Sequence, residues 1–408
     1  MNKLEKLIAS LCPHGVEYKT LGELGEFYGG LVGKSKEDFV NGNAKFVSYT
    51  NVFTNPAVNV ECEDRVRVSP EERQNIIKYG DVIFTGSSET QDECGMSSVL
   101  TICTDEKLYL NSFCFGYRVF DGCKFLPHFL KHLFRSTDIR KQICRTANGV
   151  TRFNVSKVKM SQVVIPVPPL PVQEEIVRML DEMAGLIDEL EQELVARKQQ
   201  YEWYLDSYFR CSKAKRIAIK DIGVLTRGKR FVHADAVESG VPCVHYGEIY
   251  TRYGVFADVA QSNIRRELGS KMRYAHKNDV IIVGAGENSD DIGIGVSWEG
   301  DCDVAVHDAC YTLVHAQNPR YVSYFLRSKI YHSQIKRFVS EGKICSISAE
   351  GVGRALIPIP IRSEQDAVAK SFDDFELLCR EVLPSEIALR KQQYEYYRDR
   401  LLTFKRVG

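Results

Sequence analysis

A chain of 408 residues, 44% of them apolar, is long enough for two or three hydrophobic cores and too long for one. Helical and strand-like stretches both occur, which argues against an all-α or all-β fold, and no run of 18 apolar residues offers a membrane span. The formal net charge is zero, from 54 basic and 54 acidic residues, which at first sight speaks against a polyanion-binding surface.

The first 15 residues carry neither a long apolar run nor a small-residue cleavage site, so no leader is expected. Short stretches rich in β-branched and aromatic residues predict strands at 45–49, 81–85 and 112–120, followed by a helix over 127–146. The proline-rich turn at 166–171 then opens a long helix over 172–209, since proline is tolerated in the first helical turn and not inside. Its apolar residues Ile176, Met179, Met183, Ile187, Leu190, Leu194, Tyr201, Tyr204 and Tyr208 recur at coiled-coil spacing. A second round follows, with strands at 242–246, 279–283 and 310–315 and a helix over 319–339. A second seam runs through Val368, Phe372, Phe375, Leu378, Val382, Tyr394, Tyr397, Leu401 and Phe404. It contains Pro384, which is expected to kink or break the helix.

The chain is written twice. Arg-Lys-Gln-Gln-Tyr-Glu at 197–202 returns unchanged at 390–395, and Ile-Pro-Val-Pro at 165–168 returns as Ile-Pro-Ile-Pro at 357–360. Gln173 matches Gln365, Gly80–Gly86 matches Asn278–Gly284, Tyr49 matches Tyr246 and Glu89 matches Glu287. One offset, about 195 residues, joins all these blocks, so the unit is a duplication and not a short-repeat array. From Gln173 to Arg197 is 24 residues, and from Gln365 to Arg390 is 25, so the second helix holds one extra residue in the stretch with Pro384. A lone amphipathic helix cannot bury its stripe. The two copies are therefore expected to pack their helices along one another. The intervening domain returns the chain to the far end, which favours an antiparallel pair with the globular parts at opposite ends about a pseudo-twofold axis over a parallel pair with both at one end.

Duplication also reinterprets the charge. Residues 172–196 carry eight acids against one arginine, and 364–387 carry seven acids against two bases, which leaves the remainder at about +12. Two acidic helices thus mask a basic remainder suited to nucleic acid. Thirteen cysteines without a C-x-x-C spacing read as free thiols of a reducing cytoplasm.

Signals of catalysis are weak. The stretch at 28–35 lacks a phosphate-binding loop's first glycine, Tyr28 standing in its place, and Gly284-Ala285-Gly286 lacks the third glycine of a dinucleotide fingerprint. No methyltransferase N-P-P-F, H-E-x-x-H or G-x-S-x-G occurs. His128 and His132, four apart with no flanking carboxylate, read as a surface pair. No metal site and no catalytic residue are expected.

The paired Ile-Pro-x-Pro turns before a glutamine-led helix, Arg-Lys-Gln-Gln-Tyr in both helices, and the Gly-Asp-Val-Ile strand with its Asn-Asp-Val-Ile counterpart together resemble a type I restriction–modification specificity subunit. The resemblance covers essentially the whole chain. It implies an α+β fold, with two mixed α/β target-recognition domains separated by two long antiparallel coiled-coil helices. The implied spans are 1–165 and 213–356 for the recognition domains, and 166–212 and 357–408 for the helical regions. It implies a subunit without a catalytic centre that reads a bipartite double-stranded DNA target. Two copies of a methyltransferase subunit and a restriction subunit would dock on it, and S-adenosylmethionine, ATP and Mg would serve those partners and not this chain. The rival readings are the recognition part of a fused methyltransferase–nuclease, and a coiled-coil scaffold that binds no DNA.

Under this reading phosphate-positioning residues are expected at Lys34, Lys36, Arg145, Arg227, Lys229, Arg230, Lys336 and Lys343. Base reading is expected at Asn148, Thr151, Arg152 and Asn154, since Arg pairs with guanine and Asn with adenine. The matching loop spans 341–348 and holds Ser346, and turns add Ser48, Asn51, Ser87, Ser88, His245, Tyr246 and Glu287. Docking is expected at Gln173, Arg197, Lys198, Tyr201, Gln365, Arg390, Lys391 and Tyr394.

Overall fold

The computed structural model describes residues 3–407; Met1, Asn2 and Gly408, the ends of the expected domain spans, lie outside the described residues. The chain forms two compact units, residues 1–190 with 386–408 and residues 191–385. Each unit joins one globular copy to the first half of its own long helix and to the second half of the other copy's helix.

The first unit centres on an antiparallel sheet with strand order Gly25–Gly29, Cys114–Val119, Val82–Thr85, Ser97–Val99. A second four-stranded sheet places Ala44–Val47 parallel to Leu108–Leu110. The second unit repeats both, with Gly223–Arg227, Cys310–His315, Val280–Val283 and Gly295–Trp298 in the same order, and Val241–Val244 parallel to Val304–Val306. The expected strands are all present, trimmed by a few residues. The central ones, Val82–Thr85 and Val280–Val283, are buried along their whole length, which is why they read as unbroken apolar runs. Each is entered by a left-handed turn. Gly80 has φ +85°, and its counterpart Asn278 has φ +74°, asparagine being the next residue that tolerates that conformation.

The single helix expected over 127–146 is instead two, Pro127–Leu133 and Thr137–Cys144. The one expected over 319–339 is likewise Pro319–Arg327 and Lys329–Ile335, followed by a short 3-10 turn. Carboxylates of the long helices impose both breaks. Asp399 accepts the N–H of Thr137 at 3.0 Å, and its counterpart Asp206 accepts the N–H of Lys329 at 2.7 Å. At the junctions of the paired helices, Arg135 and Arg327 donate to backbone carbonyls, Arg135 to Ser97, Val52 and Phe53 and Arg327 to Gly295, Ile249 and Gly254. These contacts use up carbonyls that no helix or strand partner reaches.

The first long helix spans Leu170–Cys211. The second runs Arg362–Leu377, a π-helical turn Leu378–Val382, then Leu383–Leu401. Pro384 therefore does not break it. A π turn is a one-residue insertion in an α-helix, and it accommodates here the residue by which this helix exceeds the first. Within the turn Leu383 donates to the carbonyl of Leu378, five residues back. The downstream face is thereby restored, and Tyr394 returns to the phase of Tyr201.

Within each unit the two half-helices run antiparallel. In the second unit Tyr201 packs on Phe372 and Phe375 at ring separations of 6.0 and 5.8 Å, while the later Tyr208 reaches back to Glu364. In the first, Tyr394 lies against the region of Asp181, and Phe404 accepts a hydrogen bond from Tyr18, whose strand pairs with Pro166 just before the helix. Val172, Ile176 and Leu180 join the core of the first unit, and Leu205, Phe209, Ala369 and Phe372 that of the second. Three seam positions differ from expectation. Tyr204, Tyr397 and Val382 are exposed, Val382 because the π turn rotates it outward.

His128 and His132 are not a surface pair. His132 is buried, and its Nε2 lies 2.7 Å from Asp181, which also receives His128 at 2.9 Å and Lys131 at 2.6 Å. The carboxylate that the local sequence lacks comes from the long helix. The second unit builds the same clasp with other chemistry, Asp373 accepting from Tyr324 at 2.7 Å and Arg320 at 2.8 Å. All thirteen cysteines are free, seven of them buried. Among the described residues no helix is long and apolar enough to cross a membrane, and no cluster of His, Cys, Asp or Glu is arranged to hold a metal.

Candidate nucleic-acid interface

In the first unit three short strands converge at one edge. Ala147–Asn148 and Phe153–Val155 form a hairpin, and Phe153–Val155 also pairs with Ser87–Ser88. This small sheet brings Ser87, Ser88, Asn148, Arg152 and Asn154 together, with Thr151 on the hairpin loop. Asn148, Thr151, Arg152 and Asn154 are exposed. Asn148 accepts from Lys159 at 2.8 Å, and its amide nitrogen donates to the Thr146 carbonyl at 3.4 Å. A cleft of about 620 Å³ opens beside the loop, lined by Tyr49, Phe53, Ser87, Glu93, Phe113 and Arg152 among others. Tyr49 donates to the Ser87 carbonyl at 2.9 Å, tying the cleft wall to the small sheet.

The second unit repeats this edge. Val339–Ser340 and Cys345–Ile347 form the hairpin, and Cys345–Ile347 pairs with Ala285–Gly286. Ser346, opposite Ala285, and exposed Lys343 and Glu287 gather here. Tyr246 lies against Gly286, and His245 packs on Tyr246 and His307 at ring separations of 4.4 and 4.5 Å, with Phe231 4.8 Å from His307. Burial pushes the pKa values of His245 and His307 down, and His307 is used within the fold, its Nδ1 accepting the N–H of Ala309 at 3.0 Å and its Nε2 lying 3.1 Å from the Phe231 carbonyl.

Several expected residues are occupied elsewhere. Lys34 is paired with Glu72 and its side chain is only 7% exposed, so it does not reach for a phosphate. Asn51 is buried and divides its amide between Asn59 and Asn55. Ser48 stands at the start of the helix Tyr49–Thr54 without a side-chain hydrogen bond to it. Arg227 donates to the Asp308 carbonyl at 2.7 Å, although it remains exposed. Lys36, Arg145, Lys229, Arg230 and Lys336 are exposed.

The docking set divides in the same way. Gln173 and Gln365 are buried, and each amide locks the Pro-rich turn to the following helix. Gln173 serves Leu126, Lys124 and Pro168, and Gln365 serves Asn318, Gln317 and Pro360. Tyr201 packs on Phe372 and Phe375, and Tyr394 bonds His132 at 2.7 Å. All four serve the chain's own fold, and Gln173 and Gln365, fully buried, present no surface to a partner, which corrects their assignment. Arg197 and Arg390 are half-buried in matching ion pairs, with Glu193 and Glu386. Lys198 and Lys391 are exposed. Sequence reasoning missed Phe113, Phe53 and Glu93. Alignment of the two copies does flag Phe113, because alanine stands at the matching position 309.

Residues 13–197 match the family model described as type I restriction modification DNA specificity domain. A putative type I restriction enzyme specificity subunit of Haemophilus influenzae, S.HindORF215P, is 30% identical over 279 residues, covering 63% of this chain and 68% of that protein. The EcoR124I/EcoR124II specificity subunit of Escherichia coli is 26% identical over 269 residues, covering 61% of this chain and 65% of that protein. Two solved structures share the fold. One, from work on complex assembly and conformational transition of the type I R-M system, has a TM-score of 0.63 at 16% identity, covering 95% of this chain and 97% of its own. The other, the HsdS subunit of Thermoanaerobacter tengcongensis, has a TM-score of 0.54 at 15% identity, covering 96% and 97%.

Proposed function

The chain belongs to the specificity subunits of type I restriction–modification systems, a family that recognises DNA and is not catalytic, and on that premise we propose that it reads a split double-stranded DNA target, one half-site per unit. One observation carries this reading. The two units share a scaffold down to individual clasps, Gln173 with Gln365, Asp181 with Asp373 and Asp399 with Asp206, yet their edge hairpins carry different residues. A protein that needed two copies only for folding would have no use for hairpins that differ where the scaffold does not. Readers of an asymmetric target need both.

The exposed loops at 149–152 and 341–344 supply base contacts in this reading. Lys36, Arg145, Lys229, Arg230, Lys336 and Lys343 supply phosphate contacts. The repeated exposed Lys198 and Lys391 mark where two identical methyltransferase subunits dock, and a restriction subunit joins that assembly. The helical regions 166–212 and 357–408 then hold the recognition domains 1–165 and 213–356. S-adenosylmethionine, ATP and Mg belong to the partners, and the assembly works in the cytoplasm.

Mapping methylated adenines in cells with and without the gene tests the reading. A gapped motif that disappears with the gene is the expected result. Methylation unchanged by its loss would sink the reading. A motif methylated by the purified chain alone, without added subunits, would instead favour the fused enzyme.

A further inference from the structure

Within that reading, we infer that Arg152 recognises the guanine of a G·C base pair in the half-site met by the first unit. Three features of its surroundings lead there. The guanidinium is already held. Its Nε and Nη2 donate to the Ser87 Oγ at 3.2 and 3.0 Å, and it lies over the Phe113 ring at 5.7 Å. A guanidinium has five N–H donors in one plane, and this arrangement engages only the Nε–Nη2 side. The remaining donors on Nη1 and Nη2 form a fork that matches the O6 and N7 acceptors of guanine in the major groove. The loop is fixed as well. Gly149 sits at φ +150°, and a Cβ there would lie 2.0 Å from the Arg152 carbonyl oxygen, so glycine is required to close it. A side chain ordered before binding loses less entropy on contact than a free one.

The second feature is charge. Glu89 and Glu93 line the same cleft. Two carboxylates beside the arginine repel a phosphate, which argues against a backbone clamp, and a carboxylate accepts the N4 amino group of cytosine. Donor fork and acceptor in one cleft fit a G·C pair.

The third feature is an internal comparison. Asn154 opposes Ser87 in the first unit, and Ser346 opposes Ala285 in the second. The hairpins have equal length, so Ile344 stands at the register position of Arg152. Ala309, which precedes the strand Cys310–His315, takes the place of Phe113 before Cys114–Val119. Ser, Arg and Phe thus become Ala, Ile and Ala together at matching register positions. The trio is a unit, and folding does not require it.

The test compares methylated-adenine consensus motifs in hosts carrying the chain and its partner subunits as wild type, Arg152→Ala or Arg152→Lys. An invariant guanine in one half-site of the wild-type motif should become degenerate in Arg152→Ala, with every other position kept. Arg152→Lys should keep only a weakened guanine preference, because an ammonium reaches O6 and N7 without a fixed fork. An unchanged motif, or methylation that falls equally at all sites with the motif intact, overturns the inference and leaves the proposed function standing. Absence of any motif that depends on the wild-type chain overturns the proposed function itself. A measurement free of variant folding uses the wild-type assembly on duplexes with 7-deazaguanine at each guanine in turn. One position should weaken binding several-fold, because 7-deazaguanine removes the N7 acceptor and leaves O6. Insensitivity at every guanine overturns the inference.

Discussion

Asp399 accepts the backbone N–H of Thr137 across 262 residues of sequence, at 3.0 Å, and takes its hydroxyl as well. The cap comes from the tail of the second long helix and lands on the first globular copy. Asp206, from the tail of the first long helix, makes the reciprocal contact with Lys329. Each copy is therefore completed by the other's helix.

Removing either cap should cost about 0.5–2 kcal/mol, the usual range for a lost helix N-cap. Asp399→Ala and Asp206→Ala are expected to lower urea midpoints separately, and their effects should add, because they share no partner. A strongly non-additive double variant would contradict this.

The clasp at Asp181 sets an acid limit. Burial alone would raise its pKa, but hydrogen bonds from His132 and Lys131 outweigh that and hold it well below the carboxylate range. A lowered carboxylate contributes stability that is fully present above the unfolded value of about 3.9 and is lost as pH falls toward the folded one. Asp181→Asn should cost about 1.5–3 kcal/mol at pH 7, as for a hydrogen bond to a charged group. The gap between variant and wild type should narrow below pH 4. Equilibrium unfolding at both pH values checks it.

His315 adds a second acid effect, in the other unit. Burial, helped by Arg362, pushes its pKa down from 6.5 to about 4. Its Nδ1 accepts the N–H of Gln317 at 3.0 Å, while its buried Nε2 has no partner. The native ring is thus neutral. The unfolded chain binds the proton more readily, so stability present above pH 6.5 is lost as pH falls toward 4. His315→Asn keeps an acceptor without titrating, and it should flatten that part of the melting-temperature profile. NMR of the ring should show no protonation at pH 5.5.

The π turn predicts which deletion the second helix accepts. Removing exposed Glu381 together with Pro384→Ala restores the 24-residue spacing of the first helix. The melting temperature should then move by only a few degrees. Deleting exposed Glu189 from the regular first helix has no bulge to absorb it. It rotates the downstream face by about 100° relative to the residues before it, and no turn in that helix takes the rotation up. That variant should melt far lower. Equal effects of the two deletions would rule out this account of the turn.

The duplication, the two long helices and most strands were legible in the sequence. They rest on identity at a fixed offset and on apolar periodicity, which neighbours along the chain express without help. The extra residue before Arg390 was countable, and so was its neighbourhood near Pro384. Its resolution as a π turn rather than a break was not, because that depends on where Tyr394 must point. The edge loops around Arg152 were legible as exposed polar turns. What they do with their neighbours was not.

Tertiary structure alone decided the partners. Lys34 reads as a free cation until Glu72 takes it, and Asn51 reads as a turn residue until Asn59 closes on its amide. His132 looks solvent-facing until Asp181 arrives from 49 residues away. The helices at 127–146 and 319–339 look continuous until Asp399 and Asp206 cut them. Periodicity records which face of an element is buried, and so it survives in the sequence. A hydrogen bond between distant residues leaves no periodic trace, because its two ends meet only when the chain has folded.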